Sequence, residues 1–114
     1  MNPREFVSAV LSDDVVARQL VKDAKREGYS WANAPAPDFV GPKERAVYAG
    51  VVELLAGRAG EKPPAWTGRV GAAPEPVYLM GATSKVWRRE YLATAPEALK
   101  KHNVYASREY LDVL

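Results

Sequence analysis

The sequence predicts a mainly all-α protein, a compact bundle of about five short helices joined by long, ordered Pro/Gly-rich loops. Three observations carry this. Apolar residues recur three and four positions apart in several stretches, capping residues stand in front of those stretches, and most of the nine prolines and eight glycines lie between them. The chain of 114 residues reads as a single domain spanning 1–114. It is long enough to bury a core without disulfides or metal. N-terminal helices are expected within 3–60, an irregular crossing over 61–81, and C-terminal helices within 82–114.

Asn2 is a capping residue, Pro3 suits the first helical position, and Glu5 stands three residues after the cap. Phe6, Val7, Val10 and Leu11 follow at helical spacing. Ser12 reads as a second cap, with Asp13 and Asp14 favouring the positive end of a helix dipole. Val16, Leu20, Val21 and Ala24 form one face and Arg18, Lys22, Lys25 and Arg26 the other, and Gly28 is a natural stop. From Tyr29 to Gly41 Pro35 and Pro37 discourage helix, and Trp31 and Phe39 are expected to anchor the connector.

Helix resumes after Pro42, with Val47, Val51, Leu54 and Leu55 as its stripe. Gly50 inside it costs about 1 kcal/mol relative to alanine, so it is either a point of close approach or a tolerated cost. Gly57 and Gly60 end the segment. The crossing that follows is expected to pack Trp66 and the run Val77 to Met80 inward, because a free linker would leave Trp66 and Tyr78 exposed. Thr83 or Ser84 caps a helix carrying Val86, Trp87, Tyr91 and Leu92. Thr94 is expected to cap the next, which ends in Lys100, Lys101 and His102 and is broken by Asn103. Val104 and Tyr105 read as extended, and Ser107 starts a last turn with Tyr110, Leu111 and Leu114.

The chemistry legible in the residues is mostly by exclusion. Cysteine is absent, which removes disulfides, thiolate catalysis and Cys-based metal sites. A single histidine, no Gly-x-Ser-x-Gly elbow and no zinc-ligand spacing leave neither a catalytic assignment, a metal nor a cofactor to propose. His102 reads as a cation at a helix end, and Asp13-Asp14 as a dipole complement. Nothing singles out a pair among Asp38, Glu44 and Glu53, although a deep cleft around them would revive a carboxylate enzyme. Gly57 to Lys62 lacks the Gly-Lys-Ser/Thr ending of a phosphate loop and leads into Pro63-Pro64. The N-terminus reads as no signal peptide and no apolar stretch reaches bilayer length, so the protein is expected to be cytoplasmic without a membrane partner.

Net charge is only +2, yet Lys85 to Arg108 holds six Lys/Arg against Glu90 and Glu97. Three tryptophans and six tyrosines exceed what one small core readily encloses, so some are expected at the surface beside arginines. The segments Pro64 to Trp66, Glu75 to Leu79 and Ala95 to Ser107 resemble the closing part of small bacterial antitoxin-like or accessory proteins encoded beside nucleotidyltransferase-like toxins. The resemblance implies an all-helical, non-enzymatic partner protein that neutralises or regulates an enzyme by direct contact, and it carries over no active site. The residues expected to meet that protein partner are Trp87, Arg88, Arg89, Tyr91, Lys100, Lys101, His102 and Tyr105. The alternative is a DNA-binding regulator that sets the same basic residues against phosphates.

Overall fold

The architecture of this computed structural model follows from one helix that is buried on every side over most of its length. The structure describes residues 1–80 and 84–112. Helix α3 (Pro42–Arg58) buries the whole run from Ala46 to Ala56, and a helix without a polar face must be enclosed by other elements. Helices α1 (Pro3–Ser12) and α2 (Asp14–Arg26) form a hairpin, and α1 packs on α3. Short 3₁₀ turns at Trp31–Asn33 and Ala65–Arg69 lie against α3, as does α5 (Glu97–Lys100). Helix α4 (Lys85–Thr94) completes the five helices found among the described residues. None of them is long and apolar enough to cross a membrane.

The caps explain the helix starts. The Asn2 side chain accepts from the N–H of Arg4 and Glu5, with Pro3 at the first helical position. The second cap is Asp13, not Ser12 as expected. Asp13 adopts extended φ/ψ and its carboxylate accepts from Val16 N–H at 3.2 Å, whereas the Ser12 hydroxyl turns back to donate to Ser8 C=O at 2.6 Å. Such a cap stabilises its helix by about 1 kcal/mol.

Aromatic anchors tie the connector down. Trp31 is buried against Phe6 and Tyr29, with ring centroids 5.5 and 4.9 Å apart. Trp66 stacks on Tyr48 at 5.2 Å and donates its indole N–H to Ala34 C=O. The Tyr48 hydroxyl donates to Pro35 C=O at 2.8 Å, so both proline-rich segments are fastened to α3. Gly50 proves to be a close approach: a Cβ there would lie 3.2 Å from Leu99 Cδ2 and 3.4 Å from Ala98 O, both on α5.

The sequence reading did not foresee a sheet. Strands β1 (Val77–Tyr78) and β2 (Val104–Tyr105) pair in parallel, Val77 opposite Val104 and Tyr78 opposite Tyr105. The pairing extends upstream, where Ala73 donates to His102 C=O at 2.9 Å and the Asn103 side chain donates back to Ala73 C=O at 3.1 Å. Asn103 adopts φ 62°, a left-handed conformation that asparagine tolerates, and so turns the chain from α5 into β2.

Ser84 caps α4 by accepting from Trp87 N–H; Thr83, its alternative, lies outside the described residues, as does Leu114. Thr94 caps nothing. It is the last residue of α4, and its hydroxyl donates to Glu90 C=O at 2.9 Å. Pro96 forces Ala95 into extended geometry (ψ 146°), so α5 starts only after the proline.

Candidate interaction surface on the C-terminal third

Helix α4 turns most of its apolar side chains outward. Val86 is 76% exposed, Trp87 58% and Leu92 44%, while Tyr91 alone is buried. Residues 86, 87, 91 and 92 span more than one side of a helix at 3.6 residues per turn, so a single packed face cannot take all four. Lys85, Arg88, Arg89 and Glu90, all exposed, fill four of the six remaining positions. Burying a large apolar side chain stabilises by roughly 1.5–3 kcal/mol, so three left in water are an unused attraction.

Beneath this helix the aromatics form a ladder. The Arg88 guanidinium carbon lies 4.9 Å from the Tyr78 ring centroid, and the Tyr78 and Tyr105 rings are 5.6 Å apart. The half-buried Tyr105 donates its hydroxyl to Asn103 Oδ1 at 2.9 Å. Trp87 and Tyr91 are 6.2 Å apart. Arg88 is thereby set over the sheet, while Trp87 and Arg89 are exposed on different sides of α4.

Of the other expected contact residues, Tyr91 and His102 are buried, while Lys100, Lys101 and Tyr105 have partners within the protein and Lys101 stays exposed. His102 is 3% exposed, its Nε2 lies 2.7 Å from Glu53 Oε1, and its Nδ1 faces Gly71 O at 3.4 Å. Glu53 is 6% exposed, and its second oxygen meets Lys101 Nζ. The expectation that His102 is a surface cation is therefore corrected: a buried carboxylate on α3 requires polar partners, and the residues following α5 supply them. Tyr91 is likewise buried and withdrawn from the surface. Lys100 is half-buried, donating to Ala93 C=O at 3.3 Å and lying 3.8 Å from Glu97. Of the eight residues expected to act together, the structure leaves Trp87, Arg88 and Arg89 exposed on α4, buries Tyr91 and His102, and gives Lys100, Lys101 and Tyr105 partners within the protein, with Lys101 still exposed.

The exposed Val86, Leu92 and Lys85 and the half-buried Tyr78 were missed as site residues. The spacing of α4 held the signal for the first two, since residues that cannot share one face cannot all be core. Tyr78 was legible only as an inward residue, because its partner Arg88 is brought to it by the tertiary fold.

Two concave regions accompany the surface. One, of about 240 Å³, lies between α2 and α3 among Val21, Tyr29, Trp31, Leu55 and Arg58 and shares no residue with α4. The other, of about 370 Å³, borders α4 at Arg88. Neither is lined by Asp38, Glu44 or Glu53. Asp38 is exposed and 3.3 Å from Arg4. Among the described residues no cluster of three or more acidic or histidine side chains is fit to hold a metal.

Comparison with known proteins returns no match: no family model, no curated protein and no solved structure matches the chain.

Proposed function

We propose that the protein is a small non-enzymatic binding module that controls a partner protein by direct contact, in the manner of an antitoxin or accessory regulator. The observation that carries this is Trp87, exposed on a helix that also leaves Val86 and Leu92 in water and carries Lys85, Arg88 and Arg89. Tryptophan and arginine together are the residue types that dominate interface hot spots. The charge of α4 favours an acidic partner surface, which would be steered to it and held in register. The partner's active-site cleft would be occluded or locked by this contact. A catalytic reading has less support, because the one histidine has both ring nitrogens directed at internal acceptors.

The test is capture from native lysate by the intact protein and by a Trp87→Ser/Arg89→Glu variant, each with and without nuclease. One stoichiometric protein retained by the wild type, insensitive to nuclease and lost by the variant, is expected. Recovery of nucleic acid instead, with affinity falling steeply as salt rises, would transfer the surface to the DNA-binding alternative.

A further inference from the structure

The two-stranded sheet leaves one edge of β1 open among the described residues. Val77 and Leu79 donate N–H to Asn103 and Tyr105 C=O at 3.0 and 2.9 Å, so both face β2. Backbone groups of successive residues in a strand alternate between the two sides, and Tyr78 therefore turns its N–H and C=O to the side away from β2. No described strand stands there. Pro76, two residues earlier on the same side, offers a carbonyl but no N–H.

That edge borders the 370 Å³ groove. The segment 74–78 encloses it together with Leu11, Lys43 and Arg88. Its charged side chains are Lys43 and Arg88 against Glu75, and it runs on to α4 with its further cations Lys85 and Arg89. An unpaired strand edge is a template for another chain. Here it sits in a concavity with an apolar contact at Leu11 and a net positive rim.

We propose that this groove receives an extended acidic segment of the protein partner, which adds as a third strand on the Tyr78 edge of β1. The inference rests on the protein-docking reading above and specifies how part of the partner is held. Main-chain hydrogen bonds to Tyr78 N–H and C=O and to Pro76 C=O supply attachment, and carboxylates facing Lys43 and Arg88 supply selectivity. Pro74 and Pro76 withhold donors upstream, which fixes the register and keeps the edge from pairing indiscriminately.

The probe is a short peptide of alternating valine and glutamate, added to the full chain labelled with nitrogen-15. Saturating peptide is expected to slow exchange of the Tyr78 amide hydrogen about tenfold or more, the effect of one added main-chain hydrogen bond. Of two peptides N-methylated on alternate amides, one is expected to bind about tenfold more weakly and the other to bind as the parent does. Lys43→Glu is expected to weaken binding without moving the melting temperature. Peptide binding that leaves Tyr78 exchange unchanged overturns the proposal, as do equal affinities for all three peptides or no binding at millimolar peptide. A captured partner lost by the Trp87→Ser/Arg89→Glu variant but fully retained by Lys43→Glu, with Tyr78 unprotected, overturns the groove and leaves the α4 reading standing. Protection of Tyr78 by the peptide alongside a partner indifferent to the α4 variant does the reverse.

Discussion

Helix α3 buries every residue from Ala46 to Ala56, whereas α4 buries Tyr91 and leaves Val86, Trp87 and Leu92 in water. Both carry large apolar side chains, so apolar content alone does not decide which is enclosed. Small residues at Ala46, Ala49, Gly50 and Ala56 let neighbours approach α3 from several directions, while Lys85, Arg88, Arg89 and Glu90 keep most of α4 in solvent. A polar group on α3 has to be answered from within the protein; an apolar group on α4 can be answered from outside it.

The sharpest way to break this contrast is at the one charged side chain buried on α3. Glu53→Ala leaves His102 buried without its carboxylate and strips Lys101 of its partner, and leaving a buried hydrogen-bonding group unsatisfied costs about 1–3 kcal/mol. Denaturant unfolding should show a loss of that order. The double substitution Glu53→Met with His102→Leu should recover most of it, since an apolar pair needs no compensation. A single-variant loss within experimental error would mean that the buried pair holds nothing together.

Next in size is Gly50→Val. The added Cβ meets Leu99 Cδ2 at 3.2 Å and the Ala98 carbonyl at 3.4 Å, and valine adds two methyls beyond it. Overpacking of this kind costs about 1–3 kcal/mol, against a gain of under 1 kcal/mol in helix propensity. A variant as stable as the wild type would show that α5 can shift off α3.

These two residues also show how far the sequence could be read. The helices of the first half, the Asn2 cap and the stop at Gly28 are local, written in side chains within a few residues of each other. Gly50 could be read only as one of two alternatives, because its reason is a contact with α5 some fifty residues away. The parallel pairing of β1 with β2 was illegible for the same reason: two-residue strands have no periodicity, and what holds them is the register set by Asn103 and Ala73. Thr94 and Ser12 misled because each is a fair cap in isolation, and a neighbouring proline or aspartate decides the matter. At the candidate surface, Trp87, Arg88 and Arg89 were legible from composition. The inward use of His102 was not, since nothing local pairs it with Glu53.

Alkaline pH probes the enclosed side at intermediate strength. Burial raises Tyr48 and Tyr110 above the usual tyrosine value, with smaller contributions from Tyr29 and from the charge of Asp14 respectively, and burial raises Tyr29 as well. The folded protein thus holds these protons more tightly than the unfolded chain. Stability contributed by the neutral forms is intact below about pH 10, the unfolded value, and falls as pH rises beyond it. Each affected tyrosine removes up to about 1.4 kcal/mol per pH unit. Tyrosine absorbance should therefore show ionisation coinciding with unfolding above pH 10. Ionisation of all six tyrosines with the fold intact would contradict the enclosure of Tyr48 and Tyr110.

The smallest effect on stability belongs to α4. Trp87→Ser removes a side chain that is mostly in water and touches Tyr91 only at 6.2 Å between ring centroids. Surface substitutions of this kind stay within about 0.5 kcal/mol. The helix start is untouched, since Ser84 caps through the backbone N–H of residue 87. Partner affinity should move the other way, falling about a hundredfold if Trp87 is a hot spot worth 2–3 kcal/mol. The two measurements together separate the regions. A large loss of stability would place Trp87 with the core of α3, and unchanged stability with unchanged affinity would remove α4 from the interface.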